Sequence, residues 1–197
     1  MRRPAAHRGR ATLALVASVS LLLTSCGQDG GTAGGDSDTT AAERTVEPVH
    51  GTELPIDARP AFIGQGQLQP ACPYLDTEWV QNTNGQRITG IGVDTRFDPP
   101  ACVFWSYEDT PAVQVMVRKM TTNSDAVAVV DHAAPIDETL KALEPEDWSG
   151  GLKGSKDGGG SLYAVWKDED AVVTFSEQPD SAKPRDITAE AIKNLGL

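Results

Sequence analysis

Little in this 197-residue chain is of the kind that does chemistry: it holds three histidines and three cysteines. His7 lies in a basic leader and His50 in a stretch without aromatic residues, so only His132 is left to serve a folded domain. A serine hydrolase would need it as its base, but no G-x-S-x-G elbow is present, and the adjacent Asp131 points about 100° away on a helix. A surface histidine late in a helix, where the dipole favours a cation, is the plain reading. Metal chemistry lacks its patterns as well. There is no D-x-D-x-D-G calcium loop, and a Cys72/Cys102/His132 zinc site would lack close ligand pairs and a fourth ligand.

Basic residues are scarce: 17 Lys and Arg face 28 Asp and Glu, for a net charge of −11. Four of those arginines, Arg2, Arg3, Arg8 and Arg10, sit in the first ten residues with no acid among them. Losing residues 1–25 therefore takes the net charge from −11 to −15. A chain this acidic is repelled by nucleic acid and by anionic headgroups, which excludes nucleic-acid binding. No apolar run reaches the ~20 residues of a membrane-spanning helix. The longest, from Ala11 to Leu23, follows the arginines and reads as the core of a secretory signal peptide.

That run ends on Leu23-Thr24-Ser25-Cys26, which resembles the bacterial lipobox. The resemblance implies cleavage before Cys26 and lipidation of its thiol, the nucleophile able to take a diacylglycerol group. Two acyl chains anchor stably where one is marginal, at about 0.8 kcal/mol per buried methylene. The expected address is the outer, extracytoplasmic face of the bacterial cytoplasmic membrane. The organisation expected is a signal peptide over 1–25, a lipidated Cys26 with a flexible tether over 26–59, and one domain over 60–197. The tether reading rests on Gly, Thr, Ala and Asp without an aromatic residue; as a coil of ~35 residues it spans roughly 30 Å.

All aromatic residues lie between Phe62 and Trp166 or at Phe175, within a segment of ordinary single-domain size. Cys72 and Cys102 are then the remaining thiols in an oxidising compartment and are expected to pair. Pro73 to Asn84 reads as a helix stopped by Gly85, and Gln86 to Asp94 as a strand with a bulge near Gly90. Cys102 to Tyr107 and Ala112 to Met120 read as a hairpin, with Val113, Val115 and Val117 on one face and Gln114 and Arg118 on the other. A helix follows from Asn123 or Ser124 to about Ala134. Residues 135–160 read mostly as loop, Ser161 to Lys167 and Ala171 to Glu177 as a second hairpin, and Asp186 to Leu195 as a last helix. The expected fold is α+β, an antiparallel sheet of about five strands with flanking helices and one disulfide.

The segments "CPYLDTEWVQNTNGQRI", "PPACVFWSYED", "AAPID", "WSGG" and "LYAVWKDEDAVVTFSEQ" resemble, in this order, an actinobacterial lipoprotein family whose domain is of unknown function. The resemblance implies an exported, anchored domain with paired cysteines. It offers no activity, catalytic residue or cofactor to transfer.

Gly154 to Ser161 nearly matches the phosphate loop G-x-x-x-x-G-K-S, but Gly160 stands where the lysine must be and a strand follows in place of a helix. Trp148-Ser149-Gly150-Gly151 is the candidate binding loop. Its tryptophan is either a stacking platform for a sugar or peptide or a plug that folds the loop onto the core. Carboxylates are many, among them Asp94, Asp98, Glu144, Glu146 and Asp147, and read as a solvated acidic surface. The leading expectation is a non-enzymatic, lipid-anchored binding domain for an envelope protein or wall component, without cofactor or metal. One alternative is a carrier for a small apolar ligand or lipid, in a cavity lined by residues such as Val113, Val115, Leu162 and Phe175. The other is a carboxylate-based wall hydrolase, which needs two carboxylates about 5 to 9.5 Å apart.

Overall fold

The computed structural model describes residues 51–156 and 158–197. Helix α1 (Thr77–Asn84) starts when Asp76 accepts the Trp79 N–H at 2.8 Å, and it stops at Gly85, whose φ of 75° lies in the left-handed region. The strands β1 (Gly90–Asp94), β2 (Ala101–Trp105) and β3 (Pro111–Lys119) follow as an antiparallel meander. Helix α2 (Asn123–Ala133) is capped by Thr122, and the chain returns through β4 (Leu140–Ala142), β5 (Ser149–Lys153), β6 (Ser161–Lys167) and β7 (Asp170–Ser176). Helix α3 (Ala182–Leu195) closes the chain, with Gly196 as its left-handed cap.

One seven-stranded sheet results, ordered β1-β2-β3-β7-β6-β5-β4 and antiparallel at every pairing. The α+β class stands, and the count of about five strands is corrected to seven. The two strands read as loop are β4 and β5: β4 is only three residues long, and glycine is the reason β5 was hidden. A Cβ on Gly150 would collide with the Ala164 carbonyl, and one on Gly151 would lie 2.9 Å from the Ala134 Cβ of the α2 cap. Those glycines allow β5 to pass closely between β6 and the end of α2. The bulge expected in β1 falls elsewhere, between Phe104 and Trp105 in the β2–β3 register. Helix α3 starts earlier than expected, because Asp180 accepts the Ala182 N–H at 2.9 Å and Pro184 is tolerated in the first turn.

Both faces of the sheet are covered. Val113, Val115, Val117, Val165 and Val172 face α1 and α3 in one core, where Ile187, Ala191 and Ile192 pack. Polar side chains satisfy one another there: Thr188 donates to Thr174 at 2.7 Å, and Ser176 donates to the Asn84 amide oxygen at 2.7 Å. Met116, Ala164, Ala171 and Val173 face the other way, against Ala126, Val129 and Val130 of α2. The disulfide Cys72–Cys102 (S–S 2.05 Å, Cα–Cα 5.7 Å) joins the segment before α1 to β2, as the cysteine count predicts.

The second face carries more than α2. Residues 51–67 run across it as a strap, and Leu54 and Ala58 pack with the second core. Residues 51–59, expected as the end of the tether, are instead part of the packed domain. Cys26 and residues 1–50 lie outside the described residues.

Candidate functional site

Four side chains hold the strap. Arg118, only 2 % exposed although charged, donates to the carbonyls of Leu54 (2.8 Å), Pro55 (3.1 Å) and Gly51 (3.4 Å). Burial lowers the Arg118 pKa and the Glu53 charge raises it in part. Asp94 accepts the Ala61 N–H at 2.9 Å and the Arg96 guanidinium at 2.6 Å, while Arg96 also donates to the Arg59 carbonyl at 3.1 Å. Trp105 donates from Nε1 to the Ile63 carbonyl at 2.7 Å, and Phe62 meets its ring edge to face at 5.9 Å. A Cβ on Gly92 would collide with the Ile63 carbonyl, so β1 needs glycine where the strap crosses.

The strap covers only part of the face. Between it and the end of the sheet lies an open cleft of about 690 Å³, walled by Arg59 and Phe62 of the strap, Gln114 of β3, Phe175 and Glu177 at the end of β7, and Glu108 of the β2–β3 loop. The β-register explains the grouping: Gln114 and Phe175 are cross-strand partners, and the Glu177 N–H bonds the Ala112 carbonyl at 3.0 Å, which keeps the ladder going one pair further. Alternation then places Ala112, Gln114, Phe175 and Glu177 on one face.

Gln114 is 6 % exposed, and among the described residues its buried Oε1 has no hydrogen-bond partner. An unpaired buried amide is costly in a folded protein. Arg59 lies over the Phe175 ring, 3.8 Å from its centre, and burial lowers its pKa. Among the described residues its guanidinium forms no ion pair. Glu177 bonds the Thr110 hydroxyl. Burial pushes its carboxyl up, the Gln86 hydrogen bond draws it down and the Glu108 charge pushes it up again, for a net rise. The nearby Lys153 already pairs with Glu138 at 3.4 Å.

The residues singled out in the sequence fall elsewhere. Trp148 is 3 % exposed and belongs to the first core with Tyr163 and Ala142, while Ser149, Gly150 and Gly151 are part of β5. The candidate binding loop is therefore corrected: Trp148 is the plug, and the glycines serve strand packing. His132 is exposed in the last turn of α2, and β6 follows the glycine-rich segment where a phosphate loop requires a helix. The four residues expected to line one apolar cavity divide between two faces, since Val113 and Val115 are in the first core while Leu162 and Phe175 border the open cleft. Among the described residues no cluster of His, Cys, Asp and Glu fits a metal ion, and no helix is long and apolar enough to cross a membrane.

Sequence reasoning missed Arg59, Glu177 and the role of Gln114. One signal was present: Gln114 and Arg118 alternate with valines in the long strand β3, which is the pattern of polar groups placed on a covered face.

Residues 54–197 match the family described as "Domain of unknown function (DUF2020)", and the chain belongs to that family. No curated protein matches it. Among solved structures it is similar to the extracellular domain of PknH from Mycobacterium tuberculosis, at 14% identity over 62% of this chain and 92% of that chain, with a TM-score of 0.34. The shared geometry is too slight to carry fold or function across.

Proposed function

We propose that this protein is a lipid-anchored, extracytoplasmic binding domain of an actinobacterial envelope, without enzymatic activity, and that it holds its ligand or partner in the cleft beside the strap. The address rests on the signal-peptide pattern and Cys26. The binding reading rests on one observation: a cleft of about 690 Å³ floored by Gln114, whose buried Oε1 has no partner among the described residues. A turn of the Gln114 amide about its soft terminal torsion presents Oε1 to the cleft, where a ligand then supplies the missing hydrogen bond. The lining is amide, hydroxyl, aromatic and charged, and no histidine or cysteine is among the described lining residues, which favours recognition over covalent chemistry.

One observation favours hydrolysis as a second reading: Glu108 and Glu177 share the cleft, and Glu177 is pushed towards its neutral form. In-cell photocrosslinking tests the proposal. A benzoylphenylalanine at position 62 or 178 on the cleft rim should capture a discrete adduct, and one at position 193 on exposed α3 should not. Equal capture from all three positions, or none from the rim, overturns the binding reading. Turnover of wall material by the purified chain that Glu177→Gln abolishes would establish the hydrolase instead.

A further inference from the structure

We infer that the ligand of this cleft is a short peptide with both termini free, its carboxylate on Arg59, its ammonium at Glu177 and Glu108, and one of its peptide groups against Gln114. The inference rests on the binding reading above and adds to it the chemistry of the ligand.

Arg59, Glu108 and Glu177, charges of both signs in the cleft, form no ion pair among the described residues. In a chain with 28 acids and 17 bases, an arginine has many possible partners, yet among the described residues Arg59 pairs with none and lies over the Phe175 ring. The ring holds the guanidinium in place while it makes no ion pair, and such a group can receive a carboxylate in bidentate fashion. At the other end, Glu177 and Glu108 line the same cleft, and neither forms an ion pair among the described residues. Two neighbouring carboxylates are each relieved by an ammonium placed between them. The site therefore has an anion-seeking end and a cation-seeking end.

A ligand of one sign fits poorly. A phosphate or dianion would meet Glu108 and Glu177, and a simple amine would meet Arg59. A purely apolar ligand would leave the Gln114 amide unpaired, which costs more once water is displaced. A zwitterion satisfies both ends.

The spacing sets the size. Arg59 covers Phe175, and Glu177 occupies the next position on the same face, so the two positions are roughly 7 Å apart at ~3.3 Å per residue. An extended peptide covers at most about 3.3–3.6 Å per residue, so about two residues lying along the strand span that interval, with the hydrogen bonds running down to the two side chains. Gln114, the cross-strand partner of Phe175, stands beside the bridge. Its amide offers one donor edge and one acceptor, the complement of a peptide N–H and C=O, and its terminal torsion is soft enough to turn either end outward.

The test uses native mass spectrometry of the full chain in detergent, with an equimolar library of unblocked di- and tripeptides and with N-acetylated and C-amidated copies of it. The unblocked library should give one-to-one adducts, and either blocked library should give at least about tenfold fewer, the loss expected from removing a charge-assisted hydrogen bond. Arg59→Gln should bind the amidated and free-acid libraries equally while still preferring a free ammonium, and Glu177→Gln should show the reverse. Absence of adducts, or equal adducts from blocked and unblocked libraries, overturns the peptide assignment. If rim photocrosslinks persist in that case, the binding reading stands and only the ligand chemistry fails; if they are absent too, both fall.

Discussion

The guanidinium of Arg118 donates to the Leu54 carbonyl at 2.8 Å across 64 residues of sequence. It reaches Pro55 and Gly51 from the same buried position, so one side chain of the third strand serves three carbonyls of the strap. Replacing Arg118 with methionine keeps much of the volume and leaves those carbonyls without a donor. The expected loss is roughly 3 kcal/mol in urea unfolding. Limited proteolysis should then cut within residues 51–67, and Arg118→Lys should recover part of both effects.

Asp94 and Glu177 predict opposite pH dependences. Burial alone pushes the Asp94 carboxyl up, but the Arg96 guanidinium and the Ala61 and Arg96 N–H groups outweigh it and hold the pKa below its usual value. With a depressed native pKa, the contribution of Asp94 is complete above about pH 4 and is lost as pH falls through the native value. Glu177 is raised, by burial first and then by Glu108. Its contribution is complete below its unfolded pKa and is lost as pH rises through the native one. Urea midpoints measured from pH 2 to 8 should therefore be highest in the mildly acidic range. Asp94→Asn should flatten the acid limb, and Glu177→Gln the limb towards neutrality.

What the sequence discloses follows from how local each signal is. The β3 alternation of Val113, Val115 and Val117 and the hairpin around Asp168-Glu169-Asp170 are set by neighbours in the chain, and both are present. The Cys72–Cys102 bond follows from counting thiols. Strand β4 was hidden because three residues carry too little alternation, and β5 because Gly150 and Gly151 have the composition of a loop, while their use depends on Ala164 and Ala134 approaching from elsewhere. The cleft was hidden for the same reason. Arg59, Gln114 and Glu177 come from three separate segments, and only the fold of residues 51–67 back over the sheet makes them neighbours.

The lipid anchor gives a direct prediction. If Cys26 carries the lipid, the wild-type chain should partition into the detergent phase of a cell-envelope extract, and Cys26→Ala should move most of it to the aqueous phase or the medium. One acyl chain binds marginally and two bind stably, so an anchored protein should show this shift as nearly complete. An unchanged partition would mean that something other than Cys26 holds the protein.

Trp148 separates packing from recognition. Its ring is 3 % exposed, in the core that also contains Tyr163, whose hydroxyl donates to the Glu144 carbonyl at 2.8 Å. Trp148→Ala removes a large buried side chain and should cost about 3–5 kcal/mol, with Trp148→Phe costing much less. Denaturant unfolding followed by near-ultraviolet circular dichroism reads this difference. Because the cleft lies across the sheet from that core, adducts captured at position 62 or 178 should persist in Trp148→Phe at a temperature where the variant is folded. Loss of those adducts without loss of stability would return Trp148 to the binding surface, against the side of the sheet on which the structure places it.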